Sequence, residues 1–406
     1  MRGDRFKMSH RLLSSSIVCL ALASGGVALG AQDEPAFFNR SAIFPANSKH
    51  NHASCVVELK DGSLLAAWYA GSGERTADDV VIEGSRLAKG KTTWGSKFLM
   101  ADTPGYPDCN PALFAAPDGS LWLFWPTILD HRWEGALLKY AHSEHPLGEA
   151  AALKWSASGA LHITPRNFAA AVEQAIAALT DAEKERYRRI LEETKVRAAD
   201  LLYQRLGWMP RVHPLVLPSG RWILPLYSDT FNCSIMAITD DRGATWTASQ
   251  PLIGFGNIQA SLVRKDDGTL VAFMRDNGSH HHIRQSSSRD DGVSWSPVVD
   301  SPFPNPGAGI EAIRLANGHW TLIYNDLPRG RQSLAVSLSD DEGASWKWTR
   351  HVERSDAGQG QFHYPSILQA SDGSIHVTYT ESRPGKGSTI THAHFNEAWI
   401  KAGDKN

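Results

Sequence analysis

Thr239-Asp-Asp-Arg-Gly-Ala-Thr-Trp246, Ser288-Arg-Asp-Asp-Gly-Val-Ser-Trp295 and Ser339-Asp-Asp-Glu-Gly-Ala-Ser-Trp346 are three copies of one pattern, Ser/Thr-x-Asp-x-Gly-x-Ser/Thr-Trp. Their tryptophans recur roughly every 50 residues, and a fixed period of that size marks a stacked or circular repeat. Degenerate copies end at Trp94 and Trp155. A second repeat runs the length of the chain. Turn pairs stand at Asp61-Gly62, Asp118-Gly119, Ser219-Gly220, Asp267-Gly268, Asn317-Gly318 and Asp372-Gly373. Such pairs suit tight hairpins because Gly, Asn and Asp tolerate positive φ. Each is followed by an apolar, aromatic-rich run such as Leu64–Tyr69, Trp222–Tyr227 or Ile375–Tyr379. The expectation is an all-β, six-bladed β-propeller, in which Ala36–Pro45 supplies the last outer strand and removes a free sheet edge.

The spacing breaks once, between Gly119 and Gly220, across the one clearly helical stretch. Residues 168–206 are rich in Ala and Leu, and Thr180-Asp-Ala-Glu183 is a capping box. They read as a helical hairpin inserted in or after the second blade, either an outer decoration or a lid over the central face. At the amino terminus, Arg2, Arg5, Lys7 and Arg11 precede an apolar run from Leu12 to Leu29, with small residues before a cut after Gly30. Residues 1–30 therefore read as a signal peptide and 31–406 as the propeller, secreted to the periplasm or outside the cell. The three cysteines that follow, Cys55, Cys109 and Cys233, are too few and uneven for a disulfide framework and read as buried thiols. With 41 basic and 43 acidic residues, nothing points to a nucleic-acid partner or a polybasic membrane surface. No later segment is apolar enough for stable membrane insertion. Oligomeric state stays open.

The octapeptide pattern is the Asp-box, and with this period the chain resembles the sialidase-like (BNR repeat) superfamily over residues 36–400, apart from the insertion. In that superfamily the Asp-box lies on outer turns, so the resemblance makes Asp241, Asp290 and Asp341 structural. Chemistry belongs where the six innermost strands begin. Counting nine or ten residues back from each hairpin glycine reaches His52, Asn110, Arg211, Gln259, Gly309 (with Glu311 two later) and Tyr364 (with His363 before it). The ends of the second strands add Arg275, Asp276, Asn325, Asp326 and Glu381. Carboxylates and imidazoles at such a ring can transfer protons, and arginines can hold an acidic sugar.

Sialidases clamp a sugar carboxylate with three arginines, use an aspartate acid/base, and attack with a tyrosine activated by a glutamate. Tyr364 looks like that nucleophile, Arg275 like the second arginine and Arg331 like the third. Asp78 and Asp79 look like the acid/base, with Glu74 third, in Gly73-Glu-Arg-Thr-Ala-Asp-Asp79. The pattern departs twice: His52-Ala53-Ser54 replaces the first arginine motif, and Gln259 replaces the glutamate. His131-Arg132-Trp133-Glu134-Gly135 is a further substrate-contact cluster, and His213 and His363 are further acid/base candidates. His280-His281-His282 reads as a hairpin tip, since three consecutive side chains cannot face one ion. Neither metal nor cofactor is expected.

Three functions fit. The first is a glycoside hydrolase acting on an acidic sugar held by Arg211, Arg275 and Arg331. The second is a polysaccharide lyase or other glycosidase using His52 or His213 with Tyr364. The third is a glycan-binding propeller without catalysis. Fold alone does not choose among them.

Overall fold

The computed structural model describes residues 35–146 and 153–404; the signal-peptide reading falls outside them. Each of the six turn pairs is a hairpin. Gly62, Gly119, Gly220, Gly268, Gly318 and Gly373 hold φ between 76° and 91°, a region closed to most side chains. The preceding Asp or Asn closes the turn on the backbone two residues on, as in Asp61 Oδ1 accepting from Ser63 N (3.0 Å) and Asn317 Oδ1 from His319 N (3.0 Å).

These hairpins build six antiparallel sheets. Blade 1 comprises His50–Glu58, Leu64–Gly71, Val81–Leu87 and Phe98–Ala101; blade 2, Ala112–Ala115, Leu121–Ile128, Ala136–Ser143 and Ala157–Ala160. In blade 3 the inner strand is broken into Met209–Pro210 and Leu215–Val216, ahead of Trp222–Ser228, Cys233–Thr239 and Thr247–Ala248. Blade 4 is Asn257–Arg264, Leu270–Asp276, His282–Ser288 and Val299–Pro304; blade 5, Glu311–Arg314, Trp320–Tyr324, Ser333–Ser339 and Trp348–Arg354. Blade 6 is Gln361–Gln369, Ile375–Arg383 and Gly387–Phe395, completed by Phe38–Ala42 in register Phe38↔Phe395 to Ala42↔Thr391. Inner strands of blades 1 and 2, 4 and 5, and 5 and 6 touch, blade 3 packs against the second strand of blade 2 and the inner strand of blade 4, and the inner strand of blade 6 meets that of blade 1. The chain is thus a closed six-bladed β-propeller.

The Asp-boxes stitch neighbouring blades. Asp241 Oδ1 accepts from Thr239 Oγ1 (2.7 Å) and Thr245 N (2.8 Å), and Asp341 repeats this with Ser339 Oγ and Ser345 N (both 2.8 Å). Hydrogen bonds from Thr245 and Ser345 hold these two carboxyls down at about 2. Each box tryptophan leans on the preceding blade: Trp94 on His392, Trp155 on Met100, Trp246 on Phe124 and Trp346 on Phe273. Blade 6 has no box. Its substitute is the terminal helix Glu397–Lys401, where Asn396 caps Trp399 N (3.0 Å) and Trp399 lies 4.3 Å from the Arg350 guanidinium of blade 5.

Between blades 2 and 3 stand four helices: α1 (Phe168–Ala177), α2 (Asp181–Arg186), α3 (Arg188–Ala199) and α4 (Leu201–Arg205). The Thr180–Glu183 capping box starts α2. α1 and α3 bury Phe168, Val172, Leu191 and Ala198 in one cluster with Trp208 and Phe231 of the blade 3 region. Phe168 meets both aromatics edge-on, at 5.9 and 4.6 Å. Cys55, Cys109 and Cys233 are buried free thiols. No described helix is long and apolar enough to cross a membrane.

Candidate active site

The inner strands of blades 1, 4 and 6 start with a bulge. Registers slip between His52 and Cys55, Ile258 and Ser261, and His363 and Ser366. The extra residues Ala53, Gln259 and Tyr364, and Asn110 in blade 2, adopt left-handed φ of 54°, 56°, 46° and 43°. Such strain in non-glycine residues re-aims side chains and gathers at functional sites. In blade 1 the bulge residue is Ala53, one beyond the position reached by counting, so His52 is the counterpart of His363.

Three guanidinium groups from three blades surround the Tyr364 ring: Arg211 at 4.9 Å from its centroid, Arg331 at 5.6 Å and Arg275 at 5.9 Å. Arg275 Nη1 donates to Tyr364 Oη (2.7 Å), and Gln259 Nε2 approaches it at 3.4 Å. Donors and cations so placed stabilise negative charge developing on that oxygen. Gly309 makes room: a Cβ there would sit 2.9 Å from Tyr364 Cδ1. Arg211 is buried beneath, with Nη1 and Nη2 donating to the carbonyls of Ser54 and Pro365 (both 3.2 Å). It is committed to the bulges of blades 1 and 6, which leaves Arg275 and Arg331 as the half-buried arginines at the ring.

A cavity of 870 Å³ opens beside Tyr364, walled by Glu74, His52, His363, Arg331 and His50. His363 Nδ1 accepts from Arg331 Nη1 (2.9 Å), which puts the proton of a neutral ring on Nε2. Burial and Arg331 push this imidazole down to about 3. Burial, then His363, His50 and the arginines, holds His52 well below its ordinary value. Both rings are thus neutral near pH 7. His52 Nδ1 lies 3.0 Å from Thr380 Oγ1, and its ring meets Tyr364 edge-on at 4.4 Å. Glu74 Oε1 accepts from the buried Tyr69 hydroxyl (2.6 Å), which is 3.2 Å from His50 Nε2. Burial, and next Glu74, raises Tyr69 well above its usual range, so it stays a donor.

Other expected residues lie elsewhere. Asp79 accepts from Ser72 N (2.9 Å) and Oγ (2.8 Å), and Asp78 pairs with His131 (2.6 Å) across to blade 2. Both shape the loop, and neither lines the cavity. Trp133 of the second-blade cluster packs under Arg75 (5.2 Å). Asn110 is buried against Tyr227 Oη (3.2 Å). Glu311 and His213 are locked on the axis: Glu311 accepts from His213 Nδ1 (2.6 Å), His213 N (3.2 Å) and Ile367 N (2.8 Å). His213 Nε2 lies 2.8 Å from the Val56 carbonyl and 3.3 Å from Cys55 Sγ. Burial would lower this imidazole, but Cys55 and Glu311 outweigh it and raise its value well above normal. The pair staples blades 1, 3, 5 and 6. Asp276 holds its own loop through Gly278 N and His281 N (3.0 and 2.8 Å). His280 and His282 are tied to Asp300 and Ser301.

His50, Tyr69 and Asp229 escaped the sequence reading. Tyr69 closes the apolar run Leu64–Tyr69 and His50 stands two residues before the counted His52, and their polar ends meet only through folding. Asp229 stands just past the second strand of blade 3, two positions beyond the place that Arg275 takes in blade 4, so the strand-end count did not reach it. Burial raises its carboxyl to about 6, against the pull of Arg275.

Residues 62–182 and 206–377 match the BNR repeat-like domain family. An anhydrosialidase of Macrobdella decora is 25% identical over 181 residues, which cover 40% of this chain and 23% of that protein. The chain thus matches less than a quarter of that relative's length. Among solved structures, the intramolecular trans-sialidase of Ruminococcus gnavus superposes with a TM-score of 0.64 at 15% identity, over 89% of this chain and 98% of its own. The NanB sialidase of Streptococcus pneumoniae gives 0.67 at 13% identity, over 89% and 71%. These two likenesses are of fold. With the family match running from the first blade into the sixth, the chain belongs to the BNR repeat-like domain family, within the sialidase-like superfamily.

Proposed function

We propose that the protein is a sialidase-type glycosidase that cleaves the bond next to an acidic sugar in the cavity beside Tyr364. The observation that carries this is the meeting of guanidinium groups from blades 3, 4 and 5 on one tyrosine ring. Arg331 in the cavity wall, with Arg275 behind it on the Tyr364 oxygen, supplies the positive charge that holds the sugar carboxylate. Tyr364, its oxygen accepting from Arg275 and Gln259, passes its phenolic proton to water and attacks the anomeric carbon, or stabilises the charge forming there. Glu74 protonates the leaving oxygen, and its ionised form then activates water. It replaces Asp78 and Asp79 in that role because its side chain reaches the cavity.

Turnover of fluorogenic glycosides of sialic and uronic acids tests this. Arg275→Ala removes a charge-assisted contact of about 1.5–3 kcal/mol, so kcat/KM should fall roughly 10- to 100-fold. Tyr364→Phe should abolish turnover of the acidic glycosides. Full activity in both variants removes the proposal.

The neutral His52 beside Tyr364 favours a second reading, β-elimination on a uronic acid. There a base takes the proton next to the carboxylate, an acid protonates the departing oxygen, and a carbon–carbon double bond remains. Ultraviolet absorbance of that product separates the two. The amino-terminal pattern supports export, and sequencing the amino terminus of secreted protein tests it.

A further inference from the structure

The cavity is larger than the Arg–Tyr centre needs. From Tyr364 it runs off the axis between blades 6 and 1 as an arm walled by Lys49, Gly360, Ser382, Arg383, Gly385 and Ser388. The arm is built rigid. Asn51, buried, donates through Nδ2 to Asn47 Oδ1 (2.9 Å), Lys49 O (3.0 Å) and Ser388 O (3.2 Å). Ser388 Oγ donates to Lys49 O (2.9 Å) and accepts from Asn51 N (3.0 Å), while Asn47 and Ser388 exchange backbone bonds. Gly387 holds φ 76°, and a Cβ there would collide with the Asn47 carbonyl. The loop before blade 1 and the last hairpin of blade 6 are thereby bolted into one wall, whose backbone is set before any ligand arrives.

Its charge is one-sided. Lys49, Arg331 and Arg383 line the cavity against one carboxylate, Glu74, among the described residues. The Lys49 ammonium makes no hydrogen bond or ion pair with them. Arg383 is held by Glu381 through Nε (2.6 Å), which leaves its terminal nitrogens without a partner there. No aromatic side chain lines the arm beyond the histidines and Tyr364 at its axial end. Recognition in it rests on charge and hydrogen bonds rather than on stacking.

We infer that this arm is a leaving-group subsite for a glycan carrying a second anionic substituent, a carboxylate or a sulfate ester, on the sugar next to the cleaved bond, with Lys49 and Arg383 as its receptors. The inference rests on the glycosidase reading and extends it from a single acidic sugar to a polyanionic chain.

The test titrates the Tyr364→Phe protein calorimetrically with three oligosaccharides that share one acidic terminal sugar. The neighbouring sugar is neutral, carboxylated or sulfated. At least one anionic form should bind roughly ten-fold or more tightly than the neutral one, and the tighter of the two names the source of the charge. Lys49→Ala with Arg383→Ala should erase the preference, and Gly387→Ala should weaken it by displacing the wall. Equal binding of neutral and anionic forms, no binding of any, or a preference surviving the double substitution each overturns the inference. Wild-type protein that turns over no acidic glycoside while the preference stands overturns the glycosidase reading and leaves the subsite supported.

Discussion

At the residue scale, one carboxyl links the site to pH. Asp229 ionises at about 6 with no hydrogen-bond partner among the described residues, and Arg275, Glu74, Arg75 and Glu134 are the charges it feels. Below that value it is neutral, and the Arg275 field is free for an acidic ligand. Above it, the new carboxylate beside Arg275 competes. Affinity for an acidic sugar should therefore fall as pH rises through 6, and Asp229→Asn should flatten that step. Binding isotherms from pH 5 to 8 check this, and an unchanged step in the variant refutes it. Tyr364 and Gln259 were reachable from sequence because, in the blades that carry a bulge, it stands at a fixed distance from the hairpin glycine. Glu74 could not be ranked above Asp78 and Asp79, because side-chain direction in a loop follows from its hydrogen bonds. Nor could the axial staple be told from a substrate contact, since Glu311 and His213 lead inner strands as site residues do and differ only in having every polar atom engaged within the protein.

At the element scale, blade 6 carries three stacked histidines on its second and third strands. His376 and His394 lie 4.2 Å apart, and His376 Nδ1 is 2.9 Å from His392 Nε2. Burial, then neighbouring imidazoles, pushes His376 and His392 down to about 3. A group whose folded value lies below its unfolded value stabilises the fold above the unfolded value and loses that contribution as pH falls through the folded one. Tm should thus decline from about pH 6.5 toward 3, and His376→Gln with His392→Gln should make the decline shallower in calorimetric scans. The helical insertion is part of a core at its root, since Phe168 fills the space between Trp208 and Phe231. Phe168→Ala should cost about 3–5 kcal/mol in urea unfolding, and a loss under 1 kcal/mol would show the helices to be mere decoration. Helical composition revealed that these helices exist, but not that they pack inward. Of the aromatics that receive them, Trp208 follows the last helix directly and Phe231 comes from the second hairpin of blade 3.

At the scale of the whole molecule, the blade count was legible because hairpin and Asp-box are local signals repeated six and three times. The replacement of the missing sixth box by Trp399 was not, since it shares no spacing with the others. Ring closure rests on the strand Phe38–Ala42, and deleting residues 35–45 exposes the edge of Gly387–Phe395 along its full register. That variant should lose cooperative unfolding or soluble yield, as followed by circular dichroism and gel filtration; a fully cooperative, monomeric product would refute the closure role. The same pairing sets an order of events during synthesis. Phe38 is made ahead of all six blades and Phe395 at the end of the sixth, so this strand waits for the whole propeller before its partner exists. Refolding that ends on so distant a pairing is slow, and through that wait every copy offers both a loose strand and an open edge. At high concentration the strand of one copy can close the ring of another.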